Sequence, residues 1–291
     1  MPMSKETEYT IDITINEKYK ALRDILSEMK EVVVAYSGGV DSTFLLKVAY
    51  DTLGENAYGV LAVSPSYPSR EFDRAKEAAA IIGARIKVIP THELEDEKFA
   101  SNPVNRCYFC KSELFDKISE IAGSGEYNNM VDGSNFDDMG DHRPGMKALK
   151  EKGVRSPLQE AGLTKKDIRE LSQLLGLPTW NKDELACLSS RFPYGEKIDI
   201  HKLKMVDAAE NYLYDQGFRN IRARHQKKTL KIEVDPSQIA RFFEEDTRQR
   251  ILHKMKEIGY TYVTVDLEGY RRGSLNVGIV KDNVLNEGSG K

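Results

Sequence analysis

The segment from Val32 to Ser42 constrains the fold more than any other part of the chain. It begins with apolar, largely β-branched residues, continues through a Ser-Gly-Gly turn, and enters a helical pattern at Asp41. This order predicts a glycine turn between the carboxyl end of a strand and the amino end of a helix, where unpaired backbone N–H groups and the helix dipole favour an anion. No lysine closes the turn, so it is not the G-x-x-x-x-G-K-[ST] nucleotide loop. A connection without a ligand is the alternative, because glycine turns are common.

Apolar runs and helical patterns alternate through the first two thirds of the chain. The predicted strands after Val32–Tyr36 cover 58–63, 85–89 and 128–131, and the predicted helices cover 69–82, 105–122 and 164–175. Alternation of this kind predicts an α/β fold with a doubly wound parallel sheet. Ligands of such sheets bind at the carboxyl ends of the strands, where the glycine turn would lie.

The pattern changes near residue 195. Beyond it we predict a small α+β domain with an antiparallel sheet. Its predicted helices cover 200–216 and 236–258, and its strands cover 221–224, 229–234 and 261–267. The predicted domains are therefore residues 1–195 and 196–291, and the residues after about 276 are predicted to form a loose tail.

Composition limits the class of protein. The 291 residues are 40% hydrophobic and 31% charged with a net charge of −3, which predicts a soluble globular protein without bulk attraction to nucleic acid or membrane. We find no membrane-span pattern and no signal-peptide core, so the expected compartment is the cytoplasm. The three cysteines are an odd number, which does not suit a secreted disulfide framework.

The three cysteines allow several interpretations. Cys107 and Cys110 are three residues apart at the start of a helical pattern and so share one face, whereas Cys187 is distant in sequence. They could be a redox pair, buried core cysteines, ligands of structural zinc with a fourth ligand such as His142, or three ligands of a [4Fe–4S] cluster with one open iron. Spacing alone favours zinc and the cluster equally.

Several motifs together resemble one family. Residues 37–42 read Ser-Gly-Gly-Val-Asp-Ser and resemble the S-G-G-x-D-S signature of the PP-loop ATP pyrophosphatases, which cut ATP between its α- and β-phosphates. The further matching segments are 64–71, 132–138, 141–145, 180–182, 189–195, 222–225 and 266–271. From about residue 19 to residue 276, the chain resembles the LarE-type ATP-dependent sulfur transferases, which build the nickel-pincer nucleotide cofactor.

The resemblance implies a substrate and a site for ATP. The family adenylates the carboxylates of pyridinium-3,5-biscarboxylic acid mononucleotide, releases pyrophosphate, and converts the carboxylates to thiocarboxylates. It implies that Asp41 helps to hold Mg²⁺, a cation that prefers oxygen ligands. The implied pyrophosphate-binding residues are Ser37, Gly38, Gly39 and Ser42, and those lining the adenosine pocket are Ser64 and Gly133.

The family uses two sulfur sources. In one branch a single cysteine gives up its own sulfur and becomes dehydroalanine, which would be Cys187 here. In the other branch, three cysteines hold a [4Fe–4S] cluster whose open iron carries the transferred sulfide. Because this chain has Cys107 and Cys110 as well as Cys187, the resemblance implies the cluster branch, with these three residues as ligands.

The substrate carries a phosphate and two carboxylates, which arginine forks match. Arg222 and Arg224 are predicted to point to the same face of a strand. The substrate-site residues implied by the resemblance are Ser190, Arg191, Glu210, Arg222, Arg224 and Arg271, with Glu233 as a further candidate. Arg143 either acts at the phosphates or orders its loop, and His142 and His225 are ordinary loop or surface histidines on most readings.

The resemblance also implies the partners: the nucleotide substrate, sulfide, and further copies of the chain in a homo-oligomer, with no nucleic acid and no membrane. Three other functions compete with it. A PP-loop tRNA thiolase would usually carry a basic face or an RNA-binding module, which the charge of −3 does not suggest. An amidotransferase-linked ligase would need an ammonia source, and the chain has no glutaminase motif. A nucleotide-binding regulator without activity would not need an intact loop and three cysteines.

Overall fold

The computed structural model describes residues 17–122, 129–140, 144–184, 186–271 and 273–274. His142, Arg143 and the predicted tail lie outside these residues. The chain divides into two compact units. Of the described residues, the first unit contains 17–63, 71–91, 108–122, 129–140 and 144–184, and the second contains 64–70, 92–107, 186–271 and 273–274. The predicted domain boundary near residue 195 stays a prediction.

A four-stranded parallel sheet organises the first unit. Its strands are β1 (Val32–Tyr36), β2 (Ala57–Val63), β3 (Ile86–Pro90) and β4 (Met130–Val131). They lie in the order β3-β2-β1-β4, and every neighbouring pair is parallel. This confirms the predicted α/β, doubly wound fold. Since the chain passes from β1 to β2 and β3 on one side and returns to β4 on the other, the crevice of the sheet opens at the carboxyl end of β1.

Helices alternate with these strands. They are α1 (Glu17–Met29), α2 (Val40–Leu53), α3 (Ser69–Ile82), α4 (Glu97–Ala100), α5 (Arg106–Ala122), α6 (Pro144–Glu151), α7 (Pro157–Glu160) and α8 (Lys165–Leu174). The predicted helices at 69–82, 105–122 and 164–175 match α3, α5 and α8 to within a residue at each end. None of the described helices is long and apolar enough to cross a membrane.

The second unit contains a mixed three-stranded sheet. Its elements are α9 (Ile200–Asp215), β5 (Arg222–Gln226), β6 (Thr229–Glu233), α10 (Glu245–Ile258) and β7 (Tyr262–Val265). The predicted hairpin is confirmed, because β5 and β6 are antiparallel. The prediction of a wholly antiparallel sheet is wrong, because β7 pairs in parallel with β6. The helical connection between β6 and β7 returns the chain to the same end of the sheet, as parallel pairing requires.

That connection also differs from the single helix predicted over 236–258. A 3₁₀ segment covers Pro236–Phe243, and α10 begins only at Glu245. Glu244 between them is extended, with φ −67° and ψ 126°, so the helical hydrogen-bonding ladder cannot run through it. Periodicity alone did not reveal this interruption, because both segments bury apolar side chains on one face.

Each unit has its own apolar cluster. In the first unit the buried members are Val33, Tyr58, Val60, Ile89, Phe115, Ile118 and Leu149. In the second unit residues of α9, α10, β5 and β6 pack around fully buried Phe192 and Phe218. The cluster in the first unit packs residues of β1, β2 and β3 against residues of α5 and α6.

Candidate active site

The glycine turn joins β1 to α2 at the crevice of the parallel sheet. The Ser37 backbone N–H donates to Ser42 Oγ at 3.1 Å, and the two serine hydroxyls lie 3.0 Å apart. Gly39 occupies the N-cap of α2 and supplies no side-chain cap. The first backbone N–H groups of this fourteen-residue helix are therefore not capped by a side chain at Gly39 and can bind an anion, with two hydroxyls beside them.

Two glycines are required by close approach. Gly38 has φ +68°, and a Cβ added there would lie 2.4 Å from the Ala75 Cβ. A Cβ on Gly133, just after β4, would lie 3.0 Å from the Ser42 backbone nitrogen. A side chain at either position would therefore displace the backbone that forms the turn. These residues fit a phosphate group, since the turn offers backbone and hydroxyl donors without bulk.

Asp41 lies in the first turn of α2 and forms an ion pair with Lys165, whose Nζ is 2.5 Å from Asp41 Oδ2. Burial raises the pKa of Asp41 above its ordinary value, and the Lys165 ammonium offsets only part of the rise. Asp41 Oδ1 is buried and has no hydrogen-bond partner among the described residues. An orphaned carboxylate oxygen beside an anion site fits the coordination of Mg²⁺.

Lys165 and Lys182 are two cations of this site that the sequence analysis did not single out. Lys182 Nζ donates to the Gly38 carbonyl oxygen at 2.8 Å and forms an ion pair with Glu71. Lys182 stands in the Trp-Asn-Lys segment that contributed to the family resemblance. Lys165 is the first residue of α8, directly after the capping residue Thr164. Helix-start signals locate Lys165 on α8, but nothing in the local sequence pairs it with Asp41.

Ser64 belongs to a buried hydroxyl–carboxylate cluster in the second unit. Its Oγ lies 2.5 Å from Glu93 Oε1, and Ser66 Oγ lies 2.6 Å from the same oxygen. Glu93, which the sequence analysis missed, is only 3% exposed. Ser64 Oγ also accepts from the Ser66 backbone N–H at 3.1 Å, so if both hydroxyls donate to Glu93, one Ser64 lone pair is left for a further contact.

Cys187 precedes a 3₁₀ turn at Leu188–Arg191, and it is exposed. Its carbonyl oxygen accepts from the Ser190 backbone N–H at 3.0 Å, from Ser190 Oγ at 2.8 Å and from an Arg191 guanidinium nitrogen at 3.2 Å. The Leu188 N–H donates to the Ser66 carbonyl at 2.8 Å, which joins this turn to the serine cluster. The backbone at Cys187 is therefore held while its thiol remains accessible.

Cys107 and Cys110 lie in the first two turns of α5, with Cys107 exposed and Cys110 half-buried. Like Cys187, they carry thiols rather than disulfides. Thiols suit an iron–sulfur cluster chemically. Within the described ranges, however, no group of three or more His, Cys, Asp or Glu side chains is arranged to hold a metal ion.

Arg191 and Glu210 form a buried, two-pronged ion pair in the second unit. The Arg191 Nε and Nη2 atoms lie 2.8 and 2.9 Å from the two Glu210 carboxylate oxygens. Burial would raise the pKa of Glu210, but the Arg191 charge and hydrogen bonds outweigh it, so the net shift is downward. Glu210 also accepts from the Ala223 backbone N–H at 2.9 Å. The pair thus ties α9 to β5 and to the turn after Cys187.

Arg222 and Arg224 lie on one face of β5, as predicted for alternate strand residues. Arg224 donates to Glu233 at 2.8 Å and to the Ser190 carbonyl at 2.7 Å. Arg222 stacks on the Tyr270 ring at 4.6 Å. Burial, and then repulsion by Arg191, lowers the pKa of Arg222. A cation in this situation gains from an anionic ligand.

The two remaining candidates of the second unit differ in exposure. The Arg271 side chain is 47% exposed and pairs with Glu268. His225 is buried, its Nδ1 lies 3.2 Å from the Tyr260 hydroxyl, and burial lowers its pKa. His225 is therefore a core histidine and not the loop or surface histidine expected from the sequence.

Comparison with known proteins gives two relatives that align over nearly the whole chain. An uncharacterized protein of Synechocystis sp. is 45% identical over 262 residues, which are 90% of this chain and 98% of the relative. The pyridinium-3,5-bisthiocarboxylic acid mononucleotide synthase of Lactiplantibacillus plantarum is 36% identical over 269 residues, which are 92% of this chain and 97% of that enzyme. The chain belongs to the LarE-type family of sulfur transferases.

This LarE-type chain also matches a more distant protein over a short segment. The glutamine-dependent NAD(+) synthetase of Aquifex aeolicus is 36% identical over 77 residues, 25% of this chain and 14% of the synthetase. Such a match is consistent with the PP-loop superfamily. No family model matches the chain.

Proposed function

We propose that this LarE-type protein is an ATP-dependent sulfur transferase of nickel-pincer nucleotide biosynthesis. Its substrate would be pyridinium-3,5-biscarboxylic acid mononucleotide, and its products thiocarboxylates, AMP and pyrophosphate. The observation that carries the proposal is the uncapped glycine turn at the crevice of the sheet, with two serine hydroxyls and the orphaned Asp41 oxygen beside it. Near full-length similarity to the Lactiplantibacillus synthase supports the choice of substrate.

The first step would activate a carboxylate. A substrate carboxylate oxygen attacks the α-phosphorus of ATP, the bond from that phosphorus to the bridging oxygen breaks, and pyrophosphate leaves. Ser37, Gly38, Gly39 and Ser42 would bind the leaving pyrophosphate through backbone N–H and hydroxyl groups, which need no reorganisation in a preformed turn. Asp41 would hold Mg²⁺, which neutralises pyrophosphate charge. Ser64 and Gly133 would contact the adenosine portion.

The second step would replace the adenylate by sulfur. A sulfide attacks the acyl carbon, the carbon–oxygen bond to AMP breaks, and a thiocarboxylate forms. We assign Cys107, Cys110 and Cys187 as ligands of a [4Fe–4S] cluster, whose open iron would supply the sulfide. The support is chemical: three thiols lie outside the apolar clusters, with two on one helix start.

A second candidate mechanism is sacrificial, and the exposure of the Cys187 thiol favours it. The Cys187 thiolate would attack the acyl adenylate and expel AMP to give a thioester. Removal of the Cys187 α-proton would then break its Cβ–S bond, which leaves dehydroalanine in the chain and the thiocarboxylate on the substrate. This route needs neither Cys107 nor Cys110.

The substrate would bind in the second unit. Arg222 and Arg224 offer two buried guanidinium groups on one strand face, and because burial lowers the pKa of Arg222, an anionic ligand would stabilise its charged form. The further proposed contacts are Ser190, Arg191, Glu210 and Arg271. We further propose that the protein acts in the cytoplasm as a homo-oligomer.

Purification without oxygen, followed by iron and acid-labile sulfide analysis, tests the sulfur source. We expect about one four-iron cluster per chain and repeated turnover with sulfide and MgATP. A colourless, iron-free protein that turns over once and loses the mass of H₂S at Cys187 would overturn the cluster in favour of the sacrificial route.

Asp41→Ala tests the activation step. It should abolish pyrophosphate release from MgATP and substrate, and it should leave the iron content unchanged. Asp51→Ala is the matched control, because Asp51 lies on the same helix in an ion pair with Lys47. Normal pyrophosphate release by Asp41→Ala would contradict the assignment of the glycine turn to ATP.

A further inference from the structure

The peptide unit between Gly38 and Gly39 has a defined orientation in the turn. Its carbonyl oxygen accepts from Lys182 Nζ at 2.8 Å. Because the C=O and N–H of a trans peptide point in opposite directions, the Gly39 N–H faces away from the Lys182 ammonium. The Gly39 N–H donates to Ser37 Oγ at 3.4 Å, and it therefore points to the side of the turn that carries the serine hydroxyls. The N–H is thus turned toward the proposed phosphate position.

The turn does not lock this orientation by itself. A flip of the peptide would rotate ψ of the residue before it and φ of the residue after it by about half a turn, and glycine accepts either sign of φ. Gly39 now has φ −78°, and a flip would carry φ into the positive range. The flipped peptide would present its carbonyl oxygen to the phosphate, where two negative charges repel.

The side chain and the backbone of Lys182 are both held by other residues of the first unit. Its side chain is only 14% exposed and pairs with Glu71, which also accepts from Arg74 at 3.1 Å. Its backbone is fixed as well, since Arg169 on α8 donates to the Trp180 and Lys182 carbonyls at 2.8 Å each. Because its side chain and its backbone are both held, Lys182 loses little conformational entropy when its ammonium binds the Gly38 carbonyl.

We propose that Lys182 is a positioning residue that holds the Gly38–Gly39 peptide with its N–H toward the anion. The inference rests on the proposed function of the turn, because the N–H matters only if phosphate binds there. The rival role for Lys182 is direct contact with a phosphate oxygen, which would leave the peptide orientation irrelevant.

A double-mutant cycle with Gly39→Ala separates the two roles. At φ −78° alanine is allowed, and the nearest atom to its Cβ would be Ser37 Oγ at 3.3 Å. In the flipped state the alanine would have positive φ, which L-residues avoid. Gly39→Ala therefore locks the same orientation as Lys182, but through the backbone.

The probe is inorganic pyrophosphate with Mg²⁺, measured by calorimetry on the full chain. Lys182→Met should weaken binding about tenfold to a hundredfold, the range of one charge-assisted hydrogen bond. In the Gly39→Ala background, Lys182→Met should weaken binding much less than it does in the wild type, because alanine already holds the peptide orientation. An equal loss of affinity in the two backgrounds would overturn the positioning role in favour of direct contact. Unchanged affinity in Lys182→Met would overturn both roles.

Two further measurements keep the outcome unambiguous. In the ¹⁵N spectrum the Gly39 amide should shift on pyrophosphate binding in the wild type, and the shift should vanish in Lys182→Met while the fold, monitored by the other amides, persists. Lys182→Arg, which keeps a donor, should retain part of the affinity and part of the shift. Absence of pyrophosphate binding in the wild-type protein would instead contradict the proposed function itself.

Discussion

The two units present different chemistries for binding an anion. The turn after β1 offers backbone N–H groups and serine hydroxyls, and its cations Lys165 and Lys182 are engaged with Asp41 and Glu71. The second unit instead carries buried guanidinium groups, of which those of Arg191 and Arg224 are paired with Glu210 and Glu233. Backbone donors depend on a few consecutive residues, whereas buried ion pairs depend on partners far apart in the chain. The contrast explains why a short motif was enough to predict an anion site in the first unit, whereas the candidate site in the second unit was predicted from the resemblance.

The largest effect should come from breaking a buried ion pair in the second unit. Glu210→Leu leaves the Arg191 guanidinium, which is 3% exposed, without its carboxylate, and the Ala223 N–H without its acceptor. We expect a loss of about 3–5 kcal/mol in the free energy of unfolding, measured by denaturant titration. Arg191→Met/Glu210→Leu should recover much of this loss, because no charge is then buried alone.

The same pair predicts the direction of a pH dependence. The folded pKa of Glu210 is depressed, so its contribution is complete above the ordinary value of 4.5 and is lost as the pH falls through the depressed folded pKa. Glu210→Gln should flatten the fall in stability on the acid side relative to the wild type. Parallel stability–pH curves for the two proteins would show that Glu210 titrates alike in the folded and unfolded states.

The next largest effect should come from the glycine turn. Gly38→Ala adds a Cβ 2.4 Å from the Ala75 Cβ at a residue with φ +68°, so strain and overpacking should together cost about 2–4 kcal/mol and abolish pyrophosphate binding. Gly39→Ala is the matched control, because its backbone suits alanine. Equal unfolding free energies for the two variants would mean that the turn relaxes away from α3.

Much of the fold followed from periodicity, and the exceptions have physical causes. The β-branched run of β1 and the helical pattern of α3 were predicted closely, since each buries its own regular face. The parallel partner of β6 was not predicted, because strand direction depends on the path of the intervening helices. Lys182 and Glu93 were missed for a similar reason: each acts on a group far from it in sequence.

A smaller effect should distinguish the amino end of α8 from the amino end of α2. Thr164 and Asp167 cap α8 reciprocally, with the Asp167 N–H 3.2 Å from Thr164 Oγ1 and the Thr164 N–H 3.0 Å from Asp167 Oδ2. Thr164→Ala should cost about 1 kcal/mol in unfolding free energy, whether or not pyrophosphate is present. The amino end of α2, which lacks a side-chain cap, should instead gain its protection from hydrogen exchange only when pyrophosphate binds. Protection of both helix starts by the ligand would contradict this distinction.

The smallest effect on stability should come from Arg271→Gln. The Arg271 side chain is 47% exposed and its partner Glu268 is 65% exposed, and ion pairs in water contribute little, so unfolding should change by about 0.5 kcal/mol or less. Binding of the pyridinium nucleotide should nevertheless weaken if Arg271 contacts the substrate, whereas pyrophosphate binding should not change. Arg248→Gln is the control, because Arg248 pairs with Glu245 at a similar exposure on α10. If both variants bind the nucleotide like the wild type, Arg271 is an ordinary surface residue, and anion binding in the second unit rests on the buried guanidinium groups alone.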